Sequence, residues 1–158
     1  MKNRTVRYSL LLIAIVWMGL IFCLSAQSAT ESGSLSALIT EPLTNFLMRY
    51  SADQSPEQEA LLYMRVDEFV RSAAHFCEYT VLGILLTAAS RAFGIMLGWI
   101  PWLIGAVYAI TDEWHQAYSP GRVSDPTDVL IDAAGVLCGV LIYYFAKLIW
   151  RRFYVHHS

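Results

Sequence analysis

Charged residues are scarce in this sequence. Only 15% of the 158 residues are Asp, Glu, Lys or Arg, whereas 56% are hydrophobic and the mean hydropathy is +0.46. Soluble domains carry about 25% charged residues, so the composition argues against an ordinary water-soluble domain and indicates a membrane protein. For a chain this short, we expect one domain covering residues 1–158.

Several kinds of functional motif are also missing. The three cysteines lie in separate apolar runs, at Cys23, Cys77 and Cys138, with no spacing typical of a disulfide framework or a zinc site. The sequence lacks a phosphate-binding glycine loop, a nucleophile elbow and a haem motif. Nucleic-acid binding is disfavoured, because the basic residues flank apolar runs and do not form a free patch.

Four apolar runs are long enough to cross a bilayer, and they cover residues 8–24, 73–89, 92–111 and 129–150. A hydrocarbon core about 30 Å thick needs about 20 apolar residues per helix, and lipid offers the backbone no hydrogen-bond partner. The sequence therefore predicts an all-α, four-helix membrane bundle. The first run has an alternative interpretation as a cleaved signal peptide, because small residues follow it at Ser25, Ala26 and Ser28.

The charges are distributed asymmetrically about these runs. Seven of the eleven basic residues lie on one side, namely Lys2, Arg4, Arg7, Arg91, Lys147, Arg151 and Arg152. All thirteen acidic residues lie on the other side or just inside the helix ends that face it. Because short cytoplasmic loops carry the excess of Lys and Arg, we expect both termini to be cytoplasmic.

The extracytoplasmic segment, residues 25–72, is predicted to contain two amphipathic helices. The first carries apolar residues at helical spacing, namely Leu35, Leu38, Ile39, Leu43, Phe46 and Leu47. The second starts at Ser55-Pro56-Glu57, a typical helix beginning, and its pattern allows it to continue unbroken into the second span. We expect both helices to lie on the extracytoplasmic surface of the membrane or to cover the mouth of the bundle.

Strongly polar side chains are concentrated at the outer ends of three spans. Placing an ionisable group within a span costs free energy, so such groups normally face the protein interior. The common depth of the polar side chains in this sequence therefore indicates a shared site. In the last span, the Gly135-x-x-x-Gly139 pattern lets another helix approach closely, which would turn Asp132 into the bundle. We predict that six residues converge at the outer face: His75, Glu78, Asp112, His115, Arg122 and Asp132.

These residue types suit acid–base chemistry on an anionic ligand. His115 is the predicted base, Glu78 or Asp112 the acid or orienting partner, and Arg122 the anion clamp. A divalent cation held by Asp112, Asp128 and Asp132 is an alternative, but no compact metal-binding spacing supports it. No metal ligand is therefore assigned, and the cofactor is left unknown.

Simpler structural roles are open for several of the polar residues. Asp125 and Asp128 suit the cap and first turn of the last helix, and Glu113 suits a solvated surface charge. His75 with Glu78, and Asp132 with Arg122, would also serve as ion pairs that hold helices together.

In order and spacing, several short motifs resemble the VanZ-like membrane proteins of bacteria. They are Ser25-Ala-Gln27, Ala74-His75-Phe76-Cys-Glu78-Tyr79, Thr111-Asp-Glu-Trp-His-Gln116, Pro120-Gly121-Arg122, and the Asp125, Asp128, Asp132, Gly135 and Gly139 series. The resemblance implies a multi-pass protein of the bacterial plasma membrane, in a family whose founding member is linked to low-level resistance to teicoplanin-type glycopeptides. Substrate-binding residues are expected within the motifs, at Gln27, Tyr79, Glu113, Gln116, Asp125 and Asp128.

Three classes of function remain open. The preferred one is a site that acts on or binds a cell-envelope lipid intermediate or a surface glycolipid and contributes to glycopeptide resistance, with catalysis left undecided. The alternative is a non-catalytic protein that binds an envelope component or the antibiotic. A small proton-coupled transporter is disfavoured, because no acidic residue lies near the predicted midplane. The expected partners are membrane lipids and a lipid-linked intermediate or glycopeptide, without nucleic acid.

Overall fold

The computed structural model describes residues 4–50, 55–122 and 125–154, which form five α-helices. The helices are α1 (Arg4–Ser25), α2 (Ala29–Met48), α3 (Pro56–Ala92), α4 (Trp99–Gln116) and α5 (Pro126–Tyr154). The described ranges contain no strand, so the all-α prediction is confirmed. By length and composition, α1, α3 and α5 can each cross a membrane. The shorter α4 ends in polar residues, and its role as a fourth span stays a prediction.

The central helix is α3, which packs against each of the other four helices. Its 37 residues make it about 55 Å long, well beyond the roughly 30 Å hydrocarbon core. At its start, Ser55 Oγ accepts a hydrogen bond from Gln58 N, and the Gln58 side chain accepts one from Ser55 N. The predicted helix start at Ser55-Pro56 is confirmed, and the helix continues without a break to Ala92.

The connection between α3 and α4 differs from the predicted third span. Residues 93–98 lie outside the helices, so α4 begins at Trp99 and not at Ala92, which still belongs to α3. Gly94 has a φ of 90°, a left-handed conformation that ends α3. Across this turn, Ile95 N donates to Ser90 O at 2.9 Å. Composition could not locate the break, because the residues of the turn are as apolar as those of the helices.

Glycines bring α5 into close contact with α3. A Cβ atom at Gly135 would lie 2.6 Å from the Phe76 carbonyl oxygen, and one at Gly139 would overlap the Thr80 carbonyl oxygen. The predicted close approach at these two glycines is confirmed. Because Asp132 shares their face of α5 one turn earlier, it is turned inward and is only 2% exposed.

The contact between α2 and the N-terminal part of α3 is polar. Ser36 and Thr40 of α2 are buried, and their hydroxyl groups donate to Asp67 Oδ1 of α3 at 2.5 and 3.3 Å. Leu38 and Phe46 of α2 point away from α3, since they are 73% and 53% exposed. This outward apolar face suits a helix lying against lipid, although the position of α2 on the membrane surface stays a prediction.

Cross-helix hydrogen bonds to backbone carbonyls fix α1 in place. Trp17 Nε1 donates to Glu78 O of α3 at 3.0 Å, and Tyr108 OH of α4 donates to Met18 O at 2.6 Å. Around them lies a small core of buried residues, namely Ala14, Ile21, Tyr79, Leu82, Leu86, Ala109 and Val136. The end of α1 is thereby held between α3 and α4.

Candidate functional site

The Asp112 carboxylate lies where α1, α3 and α4 meet. Its Oδ2 accepts hydrogen bonds from Ser25 Oγ at 2.8 Å, Tyr79 OH at 3.1 Å and Gln116 Nε2 at 3.3 Å. All four side chains are buried. Three donors from three helices fix the orientation of the carboxylate, and its other oxygen, Oδ1, has no partner among the described residues.

A second carboxylate faces this position from α5. Asp132 Oδ1 lies 3.6 Å from His75 Nδ1, and the Asp132 side chain is 2% exposed. His75, Asp112 and Asp132 each offer one donor atom, and these three atoms lie within 4.8 Å of one another. Within the described ranges, they are the residues that could hold a metal ion. We refer to them as the His75–Asp112–Asp132 cluster.

An amphiphilic cleft of about 180 Å³ lies beside the cluster, between the end of α1, the start of α2 and the middle of α3. Its apolar lining consists of Leu24, Leu35, Ile39, Val70 and Ala74. Its polar lining consists of Ser25, Gln27, Ser32, Ser36, Arg71, His75, Glu78 and Arg122. His75 belongs to both the cleft and the cluster, so the two features are adjacent.

Arg122 reaches the cleft from the loop between α4 and α5. Gly121 before it has a φ of 76°, the left-handed conformation that this tight turn requires. Pro120 O accepts a hydrogen bond from Ala29 N at 3.1 Å, which ties the loop to the start of α2. Arg122 Nη1 donates to Gln116 Oε1 at 3.0 Å, so Arg122 is linked to the cluster through Gln116.

The chain matches the sequence model of the family described as VanZ/LLP1 over residues 10–149. It belongs to that family. The match includes every residue of the cluster and of the cleft, and it confirms the resemblance found in the sequence. No curated protein and no solved structure matches the chain.

In this VanZ/LLP1 protein, the predicted site residues His115 and Glu113 make contacts apart from the cluster. His115 stacks on Phe22 of α1, with ring centroids 4.0 Å apart, so its role as the base stays an untested prediction. Glu113 is buried, and its Oε1 accepts a hydrogen bond from Asp125 N at 2.6 Å. The interpretation of Glu113 as a solvated charge is therefore wrong, because it ties α4 to the start of α5.

Asp125 caps α5, as predicted. Its Oδ1 accepts a hydrogen bond from Thr127 N at 2.8 Å. Hydrogen bonds from the Thr127 backbone and side chain lower the pKa of Asp125 below its ordinary value. Asp128 lies half-buried in the first turn of α5 and outside the His75–Asp112–Asp132 cluster.

The remaining predicted residues divide between the two features. Glu78 and Gln27 line the cleft, whereas Tyr79 and Gln116 bind Asp112. Neither predicted structural ion pair, His75–Glu78 or Asp132–Arg122, forms among the described residues, because His75 faces Asp132.

Besides Arg71 and other residues of the cleft lining, sequence reasoning did not assign Ser25 to the site. In the sequence, Ser25 is a small residue after the first apolar run and belongs to the Ser25-Ala-Gln27 motif. Its burial at 2% and its hydrogen bond to Asp112 depend on where α1 ends relative to α4, which no local pattern reveals. Its place in that motif, two residues before the predicted site residue Gln27, was the available signal.

Proposed function

We propose that this VanZ/LLP1 protein binds an anionic lipid-linked intermediate of the cell envelope, or a surface glycolipid, in its outer-face cleft. The observation that carries the proposal is the two-sided lining of the cleft. Apolar side chains from α1, α2 and α3 suit an acyl or isoprenoid chain, and two arginines at the same cleft suit a phosphate or carboxylate.

The two arginines are only partly neutralised by the protein. Arg71 Nε lies 3.3 Å from Asp67 Oδ2, but the Arg71 side chain is 43% exposed. Arg122 Nε is buried without a hydrogen-bond partner among the described residues. Burial and the charge of Arg71 lower the pKa of Arg122, so the two cations oppose each other. An anionic head group between them would relieve this repulsion.

The proposed orientation in the plasma membrane places the cleft on the outer side and both termini in the cytoplasm. The N-terminal part of α1 meets the end of α3, where the Tyr8 and Phe93 rings lie 5.8 Å apart. Arg91, also at the end of α3, lies 5.6 Å from the centre of the Tyr144 ring of α5. The basic ends of the helices therefore share one end of the bundle, as the positive-inside rule requires.

The binding proposal is tested with a polyprenyl phosphate and the matching neutral polyprenol, each titrated onto the full chain in nanodiscs. We expect the phosphate to bind more tightly, and Arg122→Gln to weaken its binding at least tenfold. Arg65→Gln is the matched control, because Arg65 is an exposed arginine of α3 outside the cleft. Equal binding of the two lipids, or equal losses in the two variants, would contradict the proposal.

Catalysis at the same cleft is a second candidate, favoured by the presence of both His75 and Glu78 in its lining. An imidazole and a carboxyl group beside a bound ester can transfer protons in opposite directions. Mass spectrometry of the lipid after incubation distinguishes the alternatives. A changed product mass that Glu78→Gln abolishes indicates an enzyme, whereas stoichiometric binding without a product indicates a receptor.

A contribution to glycopeptide resistance is proposed on the strength of the VanZ-like resemblance. Binding of a surface glycolipid or an envelope intermediate would alter the surface that a teicoplanin-type antibiotic meets. The measurement is the inhibitory concentration of such an antibiotic for a susceptible host expressing the wild-type chain or Arg122→Gln. We expect a small rise with the wild type only. An equal rise with both chains would mean that resistance does not depend on Arg122 of the cleft.

A further inference from the structure

We propose that His75, Asp112 and Asp132 bind one divalent transition-metal ion, and that Zn²⁺ is the ion their chemistry fits best. The three donors come from three different helices, α3, α4 and α5, and converge within 4.8 Å. This inference goes beyond lipid binding, because it concerns the cluster next to the cleft and holds for any amphiphile.

Each residue of the cluster has a nitrogen or oxygen atom that is able to bind a metal and makes no hydrogen bond among the described residues. His75 Nδ1, Asp112 Oδ1 and Asp132 Oδ1 are each buried without a hydrogen-bond partner among the described residues. Asp112 and Asp132 are 1% and 2% exposed. Buried polar atoms without partners are rare in proteins, and two buried carboxylates near each other repel. One cation bound by the three residues would give such atoms a partner and would offset the repulsion between the two carboxylates.

The surroundings of Asp112 resemble the outer shell of a metal ligand. Ser25, Tyr79 and Gln116 all donate to Oδ2, so the carboxylate cannot rotate freely and Oδ1 is left free on the other side. Metal-binding carboxylates are typically held in this way by hydrogen bonds from neighbouring residues. Arg122 extends this shell, since its Nη1 donates to Gln116 Oε1.

The donor set distinguishes between metals. Mg²⁺ and Ca²⁺ prefer oxygen ligands throughout, whereas one imidazole nitrogen with two carboxylates suits Zn²⁺ and related ions. A tetrahedral zinc with bonds of about 2.1 Å places its ligands about 3.4 Å apart. The distance of 3.6 Å between His75 Nδ1 and Asp132 Oδ1 is close to that value. Three protein ligands also leave a fourth position for water or a ligand, as in catalytic zinc sites.

The competing arrangement has no metal and a protonated His75 between the two carboxylates. Direct measurement of metal content separates the two. The protein used is the untagged chain with His156→Ala and His157→Ala, which remove the two histidines near the C-terminus. It is stripped of metal with a chelator and then titrated with Zn²⁺ alone. We expect one zinc per chain, with an affinity measured by competition against a fluorescent chelator.

Substitutions then assign the ligands. We expect Asp132→Asn and Asp112→Asn, which keep the side-chain shape, to weaken zinc binding at least tenfold. Two matched controls should bind zinc as the parent does: Asp128→Asn, one turn earlier on α5, and His115→Ala on α4. Circular dichroism and size-exclusion chromatography confirm that each variant is folded.

Several results would overturn the proposal. They are the absence of zinc uptake, zinc binding unchanged in both cluster variants, and a loss of zinc in Asp128→Asn as large as in Asp132→Asn. Substituted Co²⁺ adds a spectroscopic check, because a thiolate charge-transfer band would assign the metal to a cysteine. No candidate lipid is added in these measurements, so a failure to bind zinc would leave the cleft proposal standing. A failure to bind the lipid would likewise leave the zinc proposal standing.

Discussion

Replacing Gly135 with alanine would test whether the close contact between α3 and α5 forms the site. The added Cβ would lie 2.6 Å from Phe76 O and 3.1 Å from Tyr79 Cβ, whereas a carbon usually approaches a carbonyl oxygen to about 3.3–3.6 Å. Phe76 O is a backbone atom, so the helices must separate by nearly 1 Å. Overpacking of this kind costs about 1–3 kcal/mol.

The gain in helix propensity offsets part of that cost. Alanine is favoured over glycine within a helix by about 0.5–1 kcal/mol, so the expected net loss of stability is about 0–2.5 kcal/mol. Thermal unfolding in detergent measures it, with Gly19→Ala as the matched control. A Cβ at Gly19 meets nothing within 4 Å, so that variant should be unchanged or slightly more stable. If Gly135→Ala were as stable as Gly19→Ala, the steric reasoning would be refuted.

Three further changes probe single contacts. Tyr79→Phe removes one of the donors to Asp112 Oδ2 and should cost about 1.5–3 kcal/mol of stability, measured by thermal or denaturant unfolding. Asp67→Asn weakens the hydrogen bonds that hold α2 on α3, so amide hydrogen exchange should rise in α2 and leave α5 unchanged. Hydrogen bonds from Ser28 N and Oγ lower the pKa of Glu31. The stability that these hydrogen bonds give to the first turn of α2 is therefore present above the ordinary pKa of Glu. It is lost as the pH falls through the lowered pKa of Glu31. Intrinsic-rate-corrected hydrogen exchange in the first turn of α2 should show this loss. Ser28→Ala removes the Oγ donor but keeps the backbone donor, so it should reduce the pH dependence, and Glu31→Gln, which removes the titrating group, should abolish it. Exchange in that turn that stays independent of pH in the wild-type chain would contradict the assignment.

Helix starts and close helix contacts were predictable because they depend on local chemistry. Ser55 and Asp125 cap α3 and α5 through hydrogen bonds within their own first turns. The approach at Gly135 and Gly139 follows from the absence of side chains on one face. Such features require no knowledge of which helix lies opposite.

The choice among polar residues depended on packing that sequence spacing does not describe. Asp112 and His115 are three residues apart on α4, so they lie on adjoining but not identical faces. In the structure, Asp112 faces the cluster and His115 faces Phe22 of α1. The spacing placed both near one side of α4 but could not show that different neighbours meet them.

The sequence also could not show which face of α2 packs against α3. Its apolar stripe was visible, and in a soluble protein such a stripe would pack inward. Here the buried stripe contains Ser36 and Thr40, because Asp67 on α3 offers acceptors for their hydroxyl groups. In a membrane, the apolar face can remain outside because lipid replaces water there.

The hydrogen bonds on Asp112 Oδ2 have a consequence for biosynthesis. Two of the donors, Ser25 and Tyr79, precede Asp112 in the chain and end or lie within helices that leave the ribosome before α4 does. When α4 is synthesised, the two hydroxyl groups that bind its carboxylate are therefore already part of the emerged chain. Asp132 follows last, so both carboxylates of the cluster are synthesised after His75 and the two hydroxyl groups.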